Sequence, residues 1–234
     1  MSYRTLDAAH IIETLRRLQR RIDERFPASG LAAVCRELVE TAKTAQQRSQ
    51  SIAAPNLGLR AAVCLAVAAA VAGLAYVARS INLQVGTAEI FSVFQGVEAA
   101  ANIVVLAGAA LYFLVSLEAR LKRRRSLRDL HAFRSLAHVI DMHQLTKDPS
   151  AVLAGGPATA SSPARAKTGF ELTRYLDYCS EMLSLTNKLA ALYAQNLPDP
   201  VIIDAVNDIE VLTTNLSNKI WQKITILDSA GSSS

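Results

Sequence analysis

The chain has 234 residues, of which 51% are hydrophobic, 6% aromatic and 19% charged, and its formal net charge is +5. A mean hydropathy of +0.21 and a charged fraction below the roughly 25% of soluble domains disfavour an ordinary soluble protein, and disorder of the whole chain still more. Ten Gly, seven Pro and three Cys exclude a collagen-like chain, a Pro-rich chain and a disulfide scaffold.

The N-terminal region, residues 1–59, is predicted to form two amphipathic helices. Apolar side chains recur every three or four positions over residues 6–26, and the same period resumes over residues 31–45. Pro27 and Gly30 separate the two helices, because both residue types interrupt a helix.

Two apolar stretches without charge follow, at residues 61–78 and 99–117. As helices they extend about 27 to 29 Å, close to the roughly 30 Å hydrocarbon core of a bilayer. Neither has the polar stripe that a soluble helix normally keeps. We therefore expect a transmembrane hairpin within residues 60–118. The alternative is a pair of buried core helices in a soluble bundle.

The residue types inside these stretches predict how they pack. Small residues at short helical spacings are expected to permit close helix packing or self-association: Ala62, Ala66, Ala70, Gly73 and Gly108. Asn102 is the strongly polar side chain of the second stretch and is the candidate for a polar ring in a pore. Neither stretch contains an ionisable side chain of the kind that marks proton relays and coupled transporters.

A basic cluster directly follows the second stretch and predicts its orientation. The connector at residues 80–98 contains two Glu and neither Lys nor Arg, whereas the cluster contains Arg120, Lys122, Arg123, Arg124 and Arg125. The positive-inside rule then predicts a bacterial-type inner membrane protein with both termini in the cytoplasm. We expect this cluster to attract the anionic headgroups of the lipid bilayer, and we expect no nucleic-acid partner.

Residues 119–149 are predicted to continue as a basic juxtamembrane helix to about Leu145. His138 and Asp141 lie one turn apart on the face that also carries His131, and His143 follows nearby. Such a pair suits a metal ligand set or a cytoplasmic pH sensor, and it equally suits a polar helix face that pairs along itself. A complete metal site needs further ligands, so we predict no metal and no cofactor.

Residues 150–168 are predicted to be a flexible linker, residues 169–228 a helical hairpin and residues 229–234 a tail. Asp199 and Pro200 have the residue types of a helix N-cap and first helical position. A seam of apolar residues at spacings of three and four follows: Ile202, Val206, Ile209, Leu216, Ile220 and Leu227. The pattern allows either a hairpin within one subunit or a seam between subunits.

Net charge differs between segments, and this suggests how they assemble. Residues 99–168 carry a net charge of +6, and residues 169–234 carry −4. We therefore expect the acidic hairpin to dock on the basic juxtamembrane helix, in the same subunit or in a neighbouring one.

The expected fold is an all-α membrane protein, with a transmembrane hairpin and a cytoplasmic helical bundle. The sequence contains no Gly-rich phosphate loop and no GxSxG, HExxH or CxxC motif, so we expect a protein that is not an enzyme. The predicted function is a homo-oligomeric scaffold or adaptor for a cytoplasmic protein partner. The alternatives are an oligomeric channel gated by the cytoplasmic helices and a cytoplasmic-side pH or metal sensor.

Overall fold

A computed structural model of the chain describes residues 5–53, 57–80, 90–149 and 168–231. Within these ranges the protein is 92% helical and contains no strand. The helices are α1 (Ala8–Arg25), α2 (Gly30–Ala53), α3 (Leu57–Ser80), α4 (Ile90–Leu145), α5 (Gly169–Asn196) and α6 (Pro200–Gly231). The predicted all-helical class is therefore confirmed. The predicted linker lies almost wholly outside the described residues.

Short polar side chains begin several of these helices by accepting hydrogen bonds from free backbone N–H groups. Asp7 caps α1, and Thr168 forms a reciprocal capping box with Glu171 at the start of α5. Asp199 accepts a hydrogen bond from the backbone N–H of Val201 at 3.0 Å, and α6 begins at Pro200. The predicted start of α6 is thus confirmed, whereas its end at Gly231 lies within the segment that was predicted to be a tail.

The chain divides into two compact units. One, here called the core unit, comprises Met1–Ala53 and Arg125–Ser234, and the other, here called the apolar unit, comprises Ala54–Arg124. Helix α4 contributes its first part to the apolar unit and its last part to the core unit.

Helix α5 lies at the centre of the core unit and packs against α1, α2 and α6. Its apolar side chains surround the helix instead of forming one stripe, as expected for a helix with neighbours on several sides. Leu176, Met182, Leu183 and Leu189 are almost completely buried. The last part of α4 joins this core through Phe133, whose ring lies 6.3 Å from that of Tyr193 on α5 in an edge-to-face arrangement.

The predicted apolar seam of α6 is buried within its own chain. Six residues of this seam are buried in the core of the unit: Ile202, Val206, Ile209, Leu216, Ile220 and Leu227. Helices α5 and α6 are antiparallel neighbours joined by a short corner, so the apolar face of one covers the apolar face of the other. The hairpin within one subunit is therefore the arrangement that the structure describes.

The apolar unit has the opposite character, because its large apolar side chains are exposed. One helix of the described residues, Val104–Leu145, is long and apolar enough to cross a membrane. Its most apolar 18-residue window has a mean hydropathy of 1.7, and none of that window is buried within the chain. Helix α3 contains a shorter apolar helix, Arg60–Gly73. The described residues of these stretches are thus not buried in a core within this chain, and both the membrane hairpin and its alternative stay untested.

Candidate functional site

Charged residues that flank the two apolar stretches meet within the apolar unit. The Arg60 Nε donates a hydrogen bond to Glu118 Oε2 at 3.1 Å, and Lys122 Nζ lies 2.9 Å from Glu118 Oε1. Arg60 lies in the first turn of α3, so this contact places that turn beside α4. The side chain of Glu118 is only 16% exposed. The contact joins the two residues that bound the predicted spans.

The members of the predicted basic cluster differ in their surroundings. Arg120 lies over the ring of Phe113, with 5.5 Å between the guanidinium carbon and the ring centroid. Lys122 is paired with Glu118, and the half-buried Arg123 also has an interaction partner. Arg124 and Arg125 are exposed, and no described residue forms an ion pair with either. Two arginines of the cluster are thus available to an anion outside the chain.

The small residues of the predicted spans do not pack against each other within one chain. Ala62, Ala66, Ala70, Gly73 and Gly108 are all exposed. A methyl group added at Gly73 or at Gly108 meets no atom within 4 Å. These positions of the apolar unit are therefore free for contacts with lipid or with another molecule.

The predicted His138 and Asp141 pair is not formed as a bonded pair in the structure. His138 is exposed, whereas Asp141 Oδ1 accepts a hydrogen bond from Gln144 Nε2 at 2.5 Å. His131 is also exposed, and Arg134 on the same face lies 3.9 Å from Asp208 of α6. Among the described residues, no three His, Cys, Asp or Glu side chains are grouped as a metal site requires.

His143 has a packing role that the sequence pattern did not indicate. Its ring lies against the backbone of Gly30, and a Cβ built on that glycine would meet the ring atoms Nδ1 at 3.1 Å and Nε2 at 3.4 Å. The absence of a side chain at Gly30 therefore permits the first turn of α2 to approach α4.

A buried carboxylate that the sequence analysis missed joins three helices of the core unit. Tyr193 Oη of α5 donates a hydrogen bond to Asp129 Oδ2 at 2.9 Å, and Arg48 Nη1 of α2 donates to Asp129 Oδ1. The side chain of Asp129 is 8% exposed and that of Arg48 is 54% exposed. Burial and the adjacent Asp129 carboxylate raise the pKa of Tyr193, so its hydroxyl stays protonated and donates. The sequence feature that would have identified Asp129 as a buried carboxylate is its position on the buried face of α4.

A second polar contact joins α4 to α6. Lys223 Nζ donates to the backbone oxygen of Gln144 at 2.9 Å and to its Oε1 at 2.7 Å. Burial lowers the pKa of Lys223 from its ordinary value. This residue interrupts the apolar seam of α6, and its ammonium group reaches a helix C-terminus, where free carbonyl groups favour a cation. The expected docking of the C-terminal hairpin on residues 119–149 is thus formed within one chain, mainly through apolar burial and these two polar contacts.

A groove of about 270 Å³ adjoins the Asp129 carboxylate. It is lined by Glu37, Glu40, Thr41, Thr44, Ala45, Arg48, Asp129 and Ala132. Its volume lies below the roughly 300 to 1,000 Å³ of most small-molecule sites.

Comparison with known proteins provides no relative from which a role is transferable. No family model matches the chain, and no match is found among the curated proteins or the solved structures. The contacts of the apolar unit and of the core unit are therefore the basis for assigning a function.

Proposed function

We propose that the protein is a non-catalytic scaffold or adaptor of a bacterial-type inner membrane. In this proposal α3 and the first part of α4 form a transmembrane hairpin, and the core unit is presented in the cytoplasm to other copies or to a protein partner. The observation that carries the proposal is the contrast between the two units, since the core unit buries its apolar side chains and the apolar unit exposes them.

Exposure of this much apolar surface to water is energetically unfavourable. The large apolar side chains of the predicted spans that are more than half exposed are Leu65, Val71, Tyr76, Val104, Val105, Leu106, Tyr112 and Phe113. Burial of each gains roughly 1.5 kcal/mol or more. The combined gain is comparable with the whole stability of a typical domain, about 5 to 15 kcal/mol. A bilayer covers such a surface on all sides at once.

The charged contacts support both the hairpin and its orientation. Arg60 and Glu118 are 58 positions apart, and an ion pair between them is what a hairpin with both of these span ends on one side of the membrane would form. The exposed Arg124 and Arg125 follow on that same side of the span, which is where the positive-inside rule expects an excess of basic residues.

The properties of the core unit support a role in assembly. Cys35 and Cys179 are buried, and burial raises the pKa of each thiol to about 12, so both thiols are protonated at neutral pH. Because the apolar seam of α6 is buried within its own chain, contacts with a partner use other surfaces, such as those around the exposed Met142 and Trp221. These surfaces suit a docking role better than chemistry on a bound substrate.

Membrane anchoring is tested with the full chain expressed in bacterial cells. We expect it to remain in the membrane fraction after alkaline carbonate washing. Cys64 is exposed in the apolar unit, so a lipophilic maleimide should label it in intact membranes and a hydrophilic maleimide should not. Release by carbonate, or equal labelling by both reagents, would contradict the proposed anchor. A strictly monomeric state in lipid vesicles would contradict the scaffold.

Asn102 favours one alternative, an oligomeric channel. Its side chain is exposed on an otherwise apolar part of α4, where copies around an axis would form a polar ring. Ion flux through proteoliposomes that is lost on Asn102→Leu would support the channel. Silent proteoliposomes that contain a defined oligomer would support the scaffold.

A further inference from the structure

Within the apolar unit, one side of α4 faces α3. Glu118 contacts Arg60 of α3, and the helical period of 100° per residue places Ala107, Leu111 and Leu114 on the same side as Glu118. These three side chains are half-buried, in contrast to the exposed residues around them. This side of α4 is therefore less exposed than the residues around it, and at Glu118 it contacts α3.

Most of the described residues on the opposite side of α4 are exposed, whereas Ser116 is half-buried. The same period places Asn102, Ala109 and Ser116 about 160° to 200° from Glu118. Asn102 and Ala109 are exposed, and the adjacent Tyr112 is 73% exposed. Asn102, Ala109 and Ser116 follow one another at intervals of seven residues. This heptad repeat is the one that keeps one helix face in contact with a second helix.

The polar atoms of Asn102 form no hydrogen bond with any described residue. It lies six residues from the centre of the predicted span, about 9 Å along the helix, and thus inside the roughly 15 Å half-thickness of the hydrocarbon. Its amide group has two N–H donors and one carbonyl acceptor, and no described residue forms a hydrogen bond with it. Ser116 differs, because its hydroxyl donates to the Phe113 carbonyl of its own helix at 2.9 Å.

We propose that a second copy of this chain covers this side of α4, with the Asn102 amides of the two copies hydrogen-bonded to each other. An amide both donates and accepts, so an identical side chain related by a two-fold axis completes it. Ala109 lies one heptad further along, near the middle of the span, and its small side chain permits close approach of the two helices. The contact rests on the proposed membrane anchor and specifies how the scaffold self-associates.

Cysteine cross-linking distinguishes the two sides of α4. In a Cys64→Ala background, Ala109→Cys lies on the proposed contact, and Ala107→Cys is its matched control two residues away on the side of α3. After oxidation of the full chain in lipid vesicles, we expect a covalent dimer from Ala109→Cys and monomer from Ala107→Cys. No dimer from Ala109→Cys, or equal dimer from both variants, would overturn the contact.

Substitution of Asn102 tests the hydrogen bond itself. Energy transfer between labelled copies in vesicles measures association, and we expect Asn102→Leu to weaken it roughly threefold to thirtyfold, whereas Asn102→Gln retains it. Unchanged association of Asn102→Leu would overturn the contact. If the protein stays in carbonate-washed membranes and self-associates but does not cross-link at position 109, this contact alone is refuted. If the carbonate wash releases the protein, the membrane anchor is refuted.

Discussion

Replacement of Asp129 by Ala removes the acceptor that satisfies the hydroxyl of Tyr193. Tyr193 is 1% exposed, so water does not replace the lost acceptor, and a buried hydroxyl without a partner costs about 1 to 3 kcal/mol. Arg48 loses the same carboxylate, but its side chain is 54% exposed, so its ion pair adds at most about 1 kcal/mol. We expect Asp129→Ala to lower the free energy of unfolding by about 1 to 4 kcal/mol.

The measurement is guanidinium unfolding of the full chain in detergent. Fluorescence of Trp221 reports on the core unit, because it is the only Trp in the sequence and lies on α6. Tyr193→Phe removes the donor and keeps the ring, and its expected cost is about 1 kcal/mol. In the Tyr193→Phe background, Asp129→Ala should cost about 1 to 2 kcal/mol less than in the wild type, because no hydroxyl is left without a partner.

His138→Ala is the control, since His138 is an exposed residue of the same helix and its loss should change stability by less than about 0.5 kcal/mol. The proposed role of Asp129 would be refuted if Asp129→Ala were no more destabilising than this control. It would also be refuted if the effects of Asp129→Ala and Tyr193→Phe were strictly additive.

Three further perturbations concern the core unit. Gly30→Ala should destabilise it by about 1 to 2 kcal/mol in thermal unfolding, because the new Cβ meets the His143 ring, and His143→Ala should remove most of that cost. Thr168→Ala removes the capping box of α5 and should lower the free energy of unfolding by about 1 kcal/mol. An unchanged free energy of unfolding would show that the cap does not stabilise the unit. Burial raises the pKa of Cys35 and Cys179 from 9.0 to about 12, so the folded state is stabilised while both thiols are protonated. This contribution to the free energy of unfolding is complete below pH 9.0 and is lost as the pH rises to about 12. Replacement of both by Ala should therefore flatten the fall in stability over that pH interval.

The apolar positions of the helices were predictable because helical periodicity is a local property. Val206 and Ile220 were identified from their spacing alone, and the structure buries both. The start of α6 at Pro200 was predictable for a similar reason, since capping involves only neighbours in the chain. What covers the buried face was not predictable, because hydrophobic burial is not directional and the same stripe suits a neighbour in the same chain or another copy.

The polar contacts were the least predictable part. Asp129 and Arg48 are 81 positions apart, and no spacing rule pairs them. The pattern on α4 instead favoured His138 and Asp141, whose proximity in sequence predicted a pair, yet Asp141 bonds to Gln144. Hydrogen bonds require specific distances and angles, so which of several nearby groups is bonded depends on side-chain placement.

By itself the sequence determined that the described segments are helical, where the charge-free apolar stretches lie and which apolar side chains of α6 are buried, because these follow from local composition and period. The tertiary structure was needed to show that α6 is covered within its own chain and that Asp129 joins three helices. It was also needed to show that α4 contacts α3 through Glu118 and that Asn102 and Ala109, on the opposite side, are exposed. These properties depend on contacts between residues far apart in the chain, which a period of 3.6 residues does not encode.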